Sequence, residues 1–299
     1  MSWEPPDLRG RVAVVTGASR GVGRGIALAL GDCGATVYVT GRSSRAREDG
    51  PRSALGRAGG TVEDAADAVT ARGGRGVPVT ADHTDDARTE AVFARVAAEQ
   101  DGRLDLLVAN AWGGYASNAG FTDPFWEQPM ARWDAMFTAG LRAQFATARA
   151  AAPAMVARGA GLIVVTGGTD LGDHYLGNVP YDVVKAASTR LVVALAHELR
   201  PHGVAAVGVH PGFTRTEAVV DAFAQQGAEP PPETHSPEFV GRAVASVLAD
   251  PDPMRLSGTG AQAADIARRY GFADVDGRTI APFALPDDLR LTSPPSPSA

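Results

Sequence analysis

The chain of 299 residues nearly does without lysine: of its 28 Lys and Arg residues, only Lys185 is a lysine. Cysteine is as scarce, with Cys33 alone. One thiol excludes an internal disulfide and a cysteine-built metal centre, and it fits a reducing compartment. No apolar run approaches the ~18 residues of a membrane span. Met1–Gly10, carrying Glu4, Pro5, Pro6 and Asp7, is unlike a signal peptide. The expectation is a soluble, cytoplasmic protein with no membrane partner. Positive charge is also in deficit: a net charge of −6 leaves no basic footprint for nucleic acid. Metal-ligand spacing is missing too. His174, His210 and His235 stand alone, so no metal is expected and each reads as structural or solvent-facing.

What is present is an ordinary soluble composition, 44% hydrophobic and 21% charged, in a chain long enough for one large core or two small ones. Arg11–Thr16 is a short apolar, β-branched run expected as a strand buried on both faces. Gly17-Ala-Ser-Arg-Gly21-Val-Gly23 follows, then the helical pattern Ile26, Ala27, Leu30. Strand, glycine turn and helix are the context a phosphate-binding loop needs, because glycine lets the backbone approach a pyrophosphate and the helix N-terminus offers free N–H groups. Further strands are expected at Ala35–Thr40, Gly76–Thr80, Leu104–Ala109, Gly161–Thr166 and Gly203–His210, with Leu256–Ala261 as a candidate edge strand. Helices are expected from a Thr61 cap to Arg72, and at Asp85–Gln100, Met130–Arg158, Pro180–Arg200 and Pro237–Asp250. This alternation predicts an α/β protein: a single-domain, doubly wound parallel sheet of the Rossmann type with helices on both faces. Residues 1–10 form an N-terminal arm and 11–285 the domain. Residues 43–60 read as an exposed insertion, 213–237 as an irregular lid carrying Pro230-Pro231-Pro232, and 286–299 as a disordered tail.

Where an acid would grip the ribose hydroxyls of NAD, the second strand ends in Gly41-Arg42. Arg42, joined by Arg20 from the glycine turn, can pair with a 2′-phosphate, so NADP(H) is the preferred cofactor and NAD(H) the lesser option. Asp82, just past the third strand, has two readings: an acceptor for the adenine amino group, or a cap for the next helix. Trp112–Pro129 is a loop rich in aromatics, with Trp112, Tyr115, Phe121, Phe125 and Trp126. Its rings are candidates for a substrate pocket, though Phe125 and Trp126 have an alternative use as anchors for the following helix. Tyr181 and Lys185 are four apart, so on a helix they share a face. A free phenol titrates near 10, and a neighbouring cation favours phenolate, making tyrosine a usable proton donor or acceptor. Lysine offers a compact ammonium with a movable proton, which guanidinium does not.

These pieces in this order resemble the short-chain dehydrogenase/reductase family over about Arg11 to Gly277: T-G-A-S-R-G-V-G at Thr16–Gly23, Asp82, Asn110-Ala111, Y-D-V-V-K, and P-G-F-T-R-T at Pro211–Thr216. F-W-E-Q-P at Phe125–Pro129, N-V-P-Y at Asn178–Tyr181, Ala196–Val204 and Ala267–Arg278 are similar to its member-one-like branch. The resemblance implies NADP(H)-dependent interconversion of a carbonyl and an alcohol. Tyr181 would be the general acid/base and Lys185 would hold the nicotinamide ribose and lower the Tyr181 pKa. Cofactor contacts are implied for Gly17, Ser19, Arg20, Gly21, Val22 and Gly23 in the first turn. Asn110 past the fourth strand is implied as well, as are Pro211, Gly212, Thr214 and Thr216 past the sixth, with Thr216 on the carboxamide. A homodimer or homotetramer is implied, packed through Met130–Arg158 and Pro180–Arg200.

Two positions depart from the family pattern. Its active-site serine falls on Gly168, leaving Thr166 or Thr169 as the candidate hydroxyl that orients a carbonyl oxygen. Its helix asparagine, which holds a proton-relay water, falls on Gly140. An NADP(H)-binding protein with little or no turnover, a sensor or scaffold, is the competing expectation on that ground.

Overall fold

A computed structural model of the protein describes residues 3–46, 60–114, 123–167 and 175–284. Thr169, His174, Tyr115, Phe121, most of the 43–60 insertion and the 286–299 tail lie outside the described residues.

Seven strands form one sheet in the order β3-β2-β1-β4-β5-β6-β7, every neighbouring pair parallel. They are β1 (Val12–Val15), β2 (Thr36–Gly41), β3 (Arg75–Thr80), β4 (Leu106–Ala109), β5 (Gly161–Thr166), β6 (Val204–His210) and β7 (Gly260–Gln262). The central strands are apolar at every position because both faces are covered. Ala13, Val15, Val37 and Val108 enter one core with α1 (Gly21–Asp32), α2 (Val62–Ala71), α8 (Pro237–Ala249) and α9 (Ala263–Tyr270). Their neighbours Val12, Val14, Tyr38 and Leu107 enter the other, with α3 (Asp86–Glu99), α5 (Ala143–Arg158) and α6 (Val179–Leu199). Alternating side chains along each strand therefore sort into two separate cores. Strand order reverses between β1 and β4, and a doubly wound sheet opens a crevice at that point, beyond the strand C-termini.

Local chemistry explains the helix starts. Thr61 accepts from Asp64 N–H while the Asp64 carboxylate accepts from Thr61 N–H, a closed capping box. Asp85 caps α3 by accepting from Arg88 N–H, so the helix cap is Asp85 and not Asp82. Asn178 caps α6 by accepting from Tyr181 N–H at 3.1 Å, with Pro180 in the first turn.

Two expectations are corrected and one strand boundary moves. The stretch 213–237 contains a helix, α7 (Glu217–Gln225), started by Thr216 accepting from Val219 N–H. The candidate edge strand at Leu256–Ala261 is present but starts later: a short 3-10 turn, Pro253–Leu256, and the left-handed Gly258 precede β7, which begins at Gly260. Met130–Arg158 is not one α-helix. It runs as α4 (Met130–Met136), a π-turn over Phe137–Arg142, and α5. The insertion is anchored where it leaves β2, since Ser44 is buried and donates to Glu63, while Arg45 pairs with Asp64 and Asp67.

Candidate active site

A cleft of about 720 Å³ follows the C-terminal edge of the sheet. At one end the β1–α1 turn brings Gly17, Ser19, Arg20, Gly21, Val22 and Gly23 to its wall. Arg42 and Asp82 follow β2 and β3, Asn110 follows β4, and Thr166 ends β5. Tyr181 and Lys185 enter from α6, one turn apart, and Pro211, Gly212, Thr214 and Thr216 close the side beyond β6. The topology therefore gathers every described candidate into one space. Thr169 lies outside the described residues.

The glycine turn is held from below. Asn110 donates through Nδ2 to Thr16 O at 2.9 Å and to Gly17 O at 3.3 Å. Thr16 Oγ1 accepts from the N–H groups of Asn110 and Ala111. A Cβ at Gly23 would run into Asn110 Nδ2 and Gly17 O, so glycine is required for the helix to start this close to the strand ends. Arg20, at the N-cap of α1, makes no capping bond with its side chain, which instead donates to Ser43 Oγ at 2.6 Å. The helix start faces the cleft with its backbone, and Arg20 from the turn and Arg42 from the end of β2 add two guanidinium groups, a set that fits the phosphates of a dinucleotide. One acceptor already stands there: Glu217, from α7, accepts from Gly21 N–H at 2.9 Å.

Arg42 lies 3.8 Å from Asp82. Burial pushes the Asp82 carboxyl up, but bonds from Thr84 and the Arg42 charge outweigh it and hold the group below the usual range. Next to it His83 is buried between Thr40 and Thr89, its ring nitrogens 2.7 and 3.2 Å from their hydroxyls. Burial pushes its imidazole down to about 4, so the ring is neutral at ordinary pH.

A buried polar bridge fixes α6 against the sheet. Gln144 donates to Thr166 O at 3.1 Å and accepts from Ser188 Oγ at 2.9 Å. Ser188 lies on the turn of α6 that follows Lys185. The Thr166 hydroxyl donates to Asn110 Oδ1 at 3.2 Å, which commits its proton to the β4 turn.

Near Tyr181 the cleft wall is Trp112. The two rings meet edge to face, with centroids 5.8 Å apart. Lys185 Nζ stands 4.2 Å from the Trp112 ring centroid and 5.3 Å from that of Tyr181. Gly140, where the family pattern led to asparagine, lies against the indole: a Cβ there would be 2.6 Å from its Cζ3. The other aromatics of this loop behave differently. Phe125 and Trp126 are 60% and 71% exposed and pack on each other, neither lining the cleft nor anchoring α4 in a core. His210 is buried and lines the cleft, and His235 is buried with its ring between Pro211 O and Ser236 O. Sequence reasoning missed Glu217, His83, Gln144 and Ser188. The usable signal was a polar residue in an otherwise alanine-rich helix for Gln144. Glu217 lay in a stretch read as irregular.

A phosphate-ready glycine turn at a topological switch point, with a Tyr–Lys pair in the same cleft, defines a dinucleotide-dependent oxidoreductase. The family model for short chain dehydrogenase matches residues 11–227, so the chain belongs to the short-chain dehydrogenase/reductase family and is an enzyme of that class. It is 39% identical over 284 residues to dehydrogenase/reductase SDR family member 1 of Mus musculus, covering 91% of this chain and 86% of that one. The Homo sapiens protein of that name is 38% identical over the same extent. A solved short chain dehydrogenase of Mycobacterium thermoresistibile superposes with a TM-score of 0.77 at 27% identity, covering 97% of this chain and 98% of that one. Membership implies a nicotinamide cofactor and carbonyl–alcohol chemistry on small molecules. Among the described residues no helix is long and apolar enough to cross a membrane.

Proposed function

We propose that this enzyme works with NADP(H) and that Tyr181 is its proton donor and acceptor. The observation that carries the reading is the shared cleft: Tyr181 and Lys185 face the same space as the glycine turn and the two arginines. When bound, the cofactor supplies or accepts a hydride. The chain's own residues do the rest. Arg42 and Arg20 would hold the 2′-phosphate and Asp82 the adenine, while Asn110 supports the glycine turn that would take the pyrophosphate. The Tyr181 phenol moves a proton to or from the substrate oxygen, with the Lys185 ammonium beside it. Turnover of NADPH against a panel of ketones, aldehydes and quinones tests this, with Tyr181→Phe alongside. A loss of about 10²–10⁴-fold is expected in the variant with NADPH affinity retained. Equal rates for variant and wild type would remove the proton-transfer role, and tight NADPH binding without turnover on any substrate would favour the sensor or scaffold.

The exposed Phe145 on α5 and Val183 and Val193 on α6 support assembly as a homodimer or homotetramer through those helices. A monomer by native mass spectrometry at micromolar concentration would refute it. A cytoplasmic location rests on the lone, buried Cys33, and cell fractionation reads it directly.

A further inference from the structure

We infer that Trp112 is a positioning residue for Lys185, holding the ammonium against its π face, and that Gly140 and Gly114 are kept free of side chains to seat it. This rests on the proposed roles of Tyr181 and Lys185.

Trp112 is the second residue beyond Asn110. The following residue, Gly113, donates to Ala139 O at 3.1 Å, which ties this loop to the π-turn. A Cβ at Gly140 would stand 2.6 Å from indole Cζ3 and 2.9 Å from Cε3; one at Gly114 would stand 2.6 Å from Cζ2 and 2.9 Å from Cε2. The six-membered part of the indole is therefore seated on two stretches of bare backbone, where any larger residue would push it out. The seat fixes the ring plane. Lys185 Nζ then lies 4.2 Å from the ring centroid, inside the range in which an aromatic face attracts a cation, and tryptophan is the strongest of the aromatic acceptors. A lysine on a flexible four-carbon stem has much rotamer freedom to lose. A fixed π face narrows that freedom at the one amine the cleft contains, and the same indole meets the Tyr181 ring edge to face. Leucine would fill much of the seat but offer no π face, and that separates positioning from packing.

The chain's single lysine makes the contact directly readable. Reductive methylation with ¹³C-formaldehyde labels one side-chain amine besides the N-terminus. In wild type the Lys185 methyl resonance should be displaced by the indole ring current. Trp112→Leu should return it to the position of an unshielded dimethyl-lysine, and Trp112→Phe should keep part of the displacement. Gly140→Ala, which retains the tryptophan but obstructs its seat, should act like Trp112→Leu. In turnover, Trp112→Leu should lose about 2- to 30-fold in kcat, the range of a cation–π contact, with Trp112→Phe recovering most of it. Lys185→Met/Trp112→Leu should be no slower than Lys185→Met alone. Circular dichroism and thermal melting establish that each variant is folded. An unchanged methyl resonance in folded Trp112→Leu, or additive losses in the double variant, overturns the inference. Unaltered turnover in Tyr181→Phe and Lys185→Met would instead strike at the proposed chemistry, while the resonance would still report on the contact.

Discussion

At the N-terminal ends of β1 and β4 one carboxylate is saturated. Asp105 is 3% exposed, accepts from Val12 N–H, and meets Arg11, Arg103 and Arg158 at 3.1, 2.7 and 3.5 Å. Burial pushes its carboxyl up, but the bonds from Arg103, Val12 N–H and Arg11 hold it below the usual range. At the C-terminal ends of the same two strands, Thr16 and Asn110 bond to one another beneath the glycine turn, and the turn and the half-exposed Arg42 face a cleft. The strands are equally buried along their length. What differs is how completely the polar groups at each end are satisfied within the protein. A closed network contributes stability, whereas an incomplete one leaves donors for a ligand.

The contrast breaks most visibly at Asp105. Asp105→Ala should cost about 3 kcal/mol, the low end for a broken buried ion pair because the arginines keep access to water. That corresponds to about 6–12 °C in Tm, while KM for NADPH stays unchanged. A shift in KM as large as the loss of stability would mean the two ends are not separable.

Acid should sharpen the difference on the opposite edge. His83 titrates near 4 when folded against 6.5 as its ordinary value. Between those values the unfolded chain binds the extra proton, so stability rises with pH across that window and falls as pH drops through it. Between pH 7.5 and 5.5 the loss is about 1 kcal/mol, and His83→Gln should flatten that part of a denaturant-derived stability curve. A wild-type curve already flat there would contradict the buried, neutral ring.

The smallest effect concerns Glu217, the carboxylate on the first amide of α1. A negative charge there competes with a phosphate for the same helix end, a contest worth about 0.3–1 kcal/mol. Glu217→Gln should therefore tighten NADPH binding by about two- to fivefold in titration calorimetry. Weaker binding would show that Glu217 supports the bound state.

The sequence made legible whatever depends on neighbours along the chain. Gly161–Thr166 was bounded to the residue because glycine opens it and a glycine pair follows it. The Thr61 cap and the Tyr181–Lys185 pair were readable for the same reason. The π-turn was not, since an alanine-rich helix gives no local sign of where its register slips. Its partner, Trp112, is 28 residues from Gly140 in sequence, and only the crossover brings them together. Helix α7 was obscured by the prolines that follow it, although Thr216 and Glu217 form an ordinary helix start. Asp82 and Asp85 were three residues apart on one loop, and their assignment as cap turned on a backbone direction no pattern encodes.

The scarcity of amines and thiols has a chemical consequence. Burial, with Asp32 beside it, pushes the Cys33 thiol up to about 12, so it is a protonated, inaccessible sulfur rather than a nucleophile. The lone side-chain amine stands inside the cleft. An electrophilic aldehyde meeting this protein finds a single side-chain amine with which it could condense to an imine, and that amine, Lys185, lies inside the cleft and not on the outer surface.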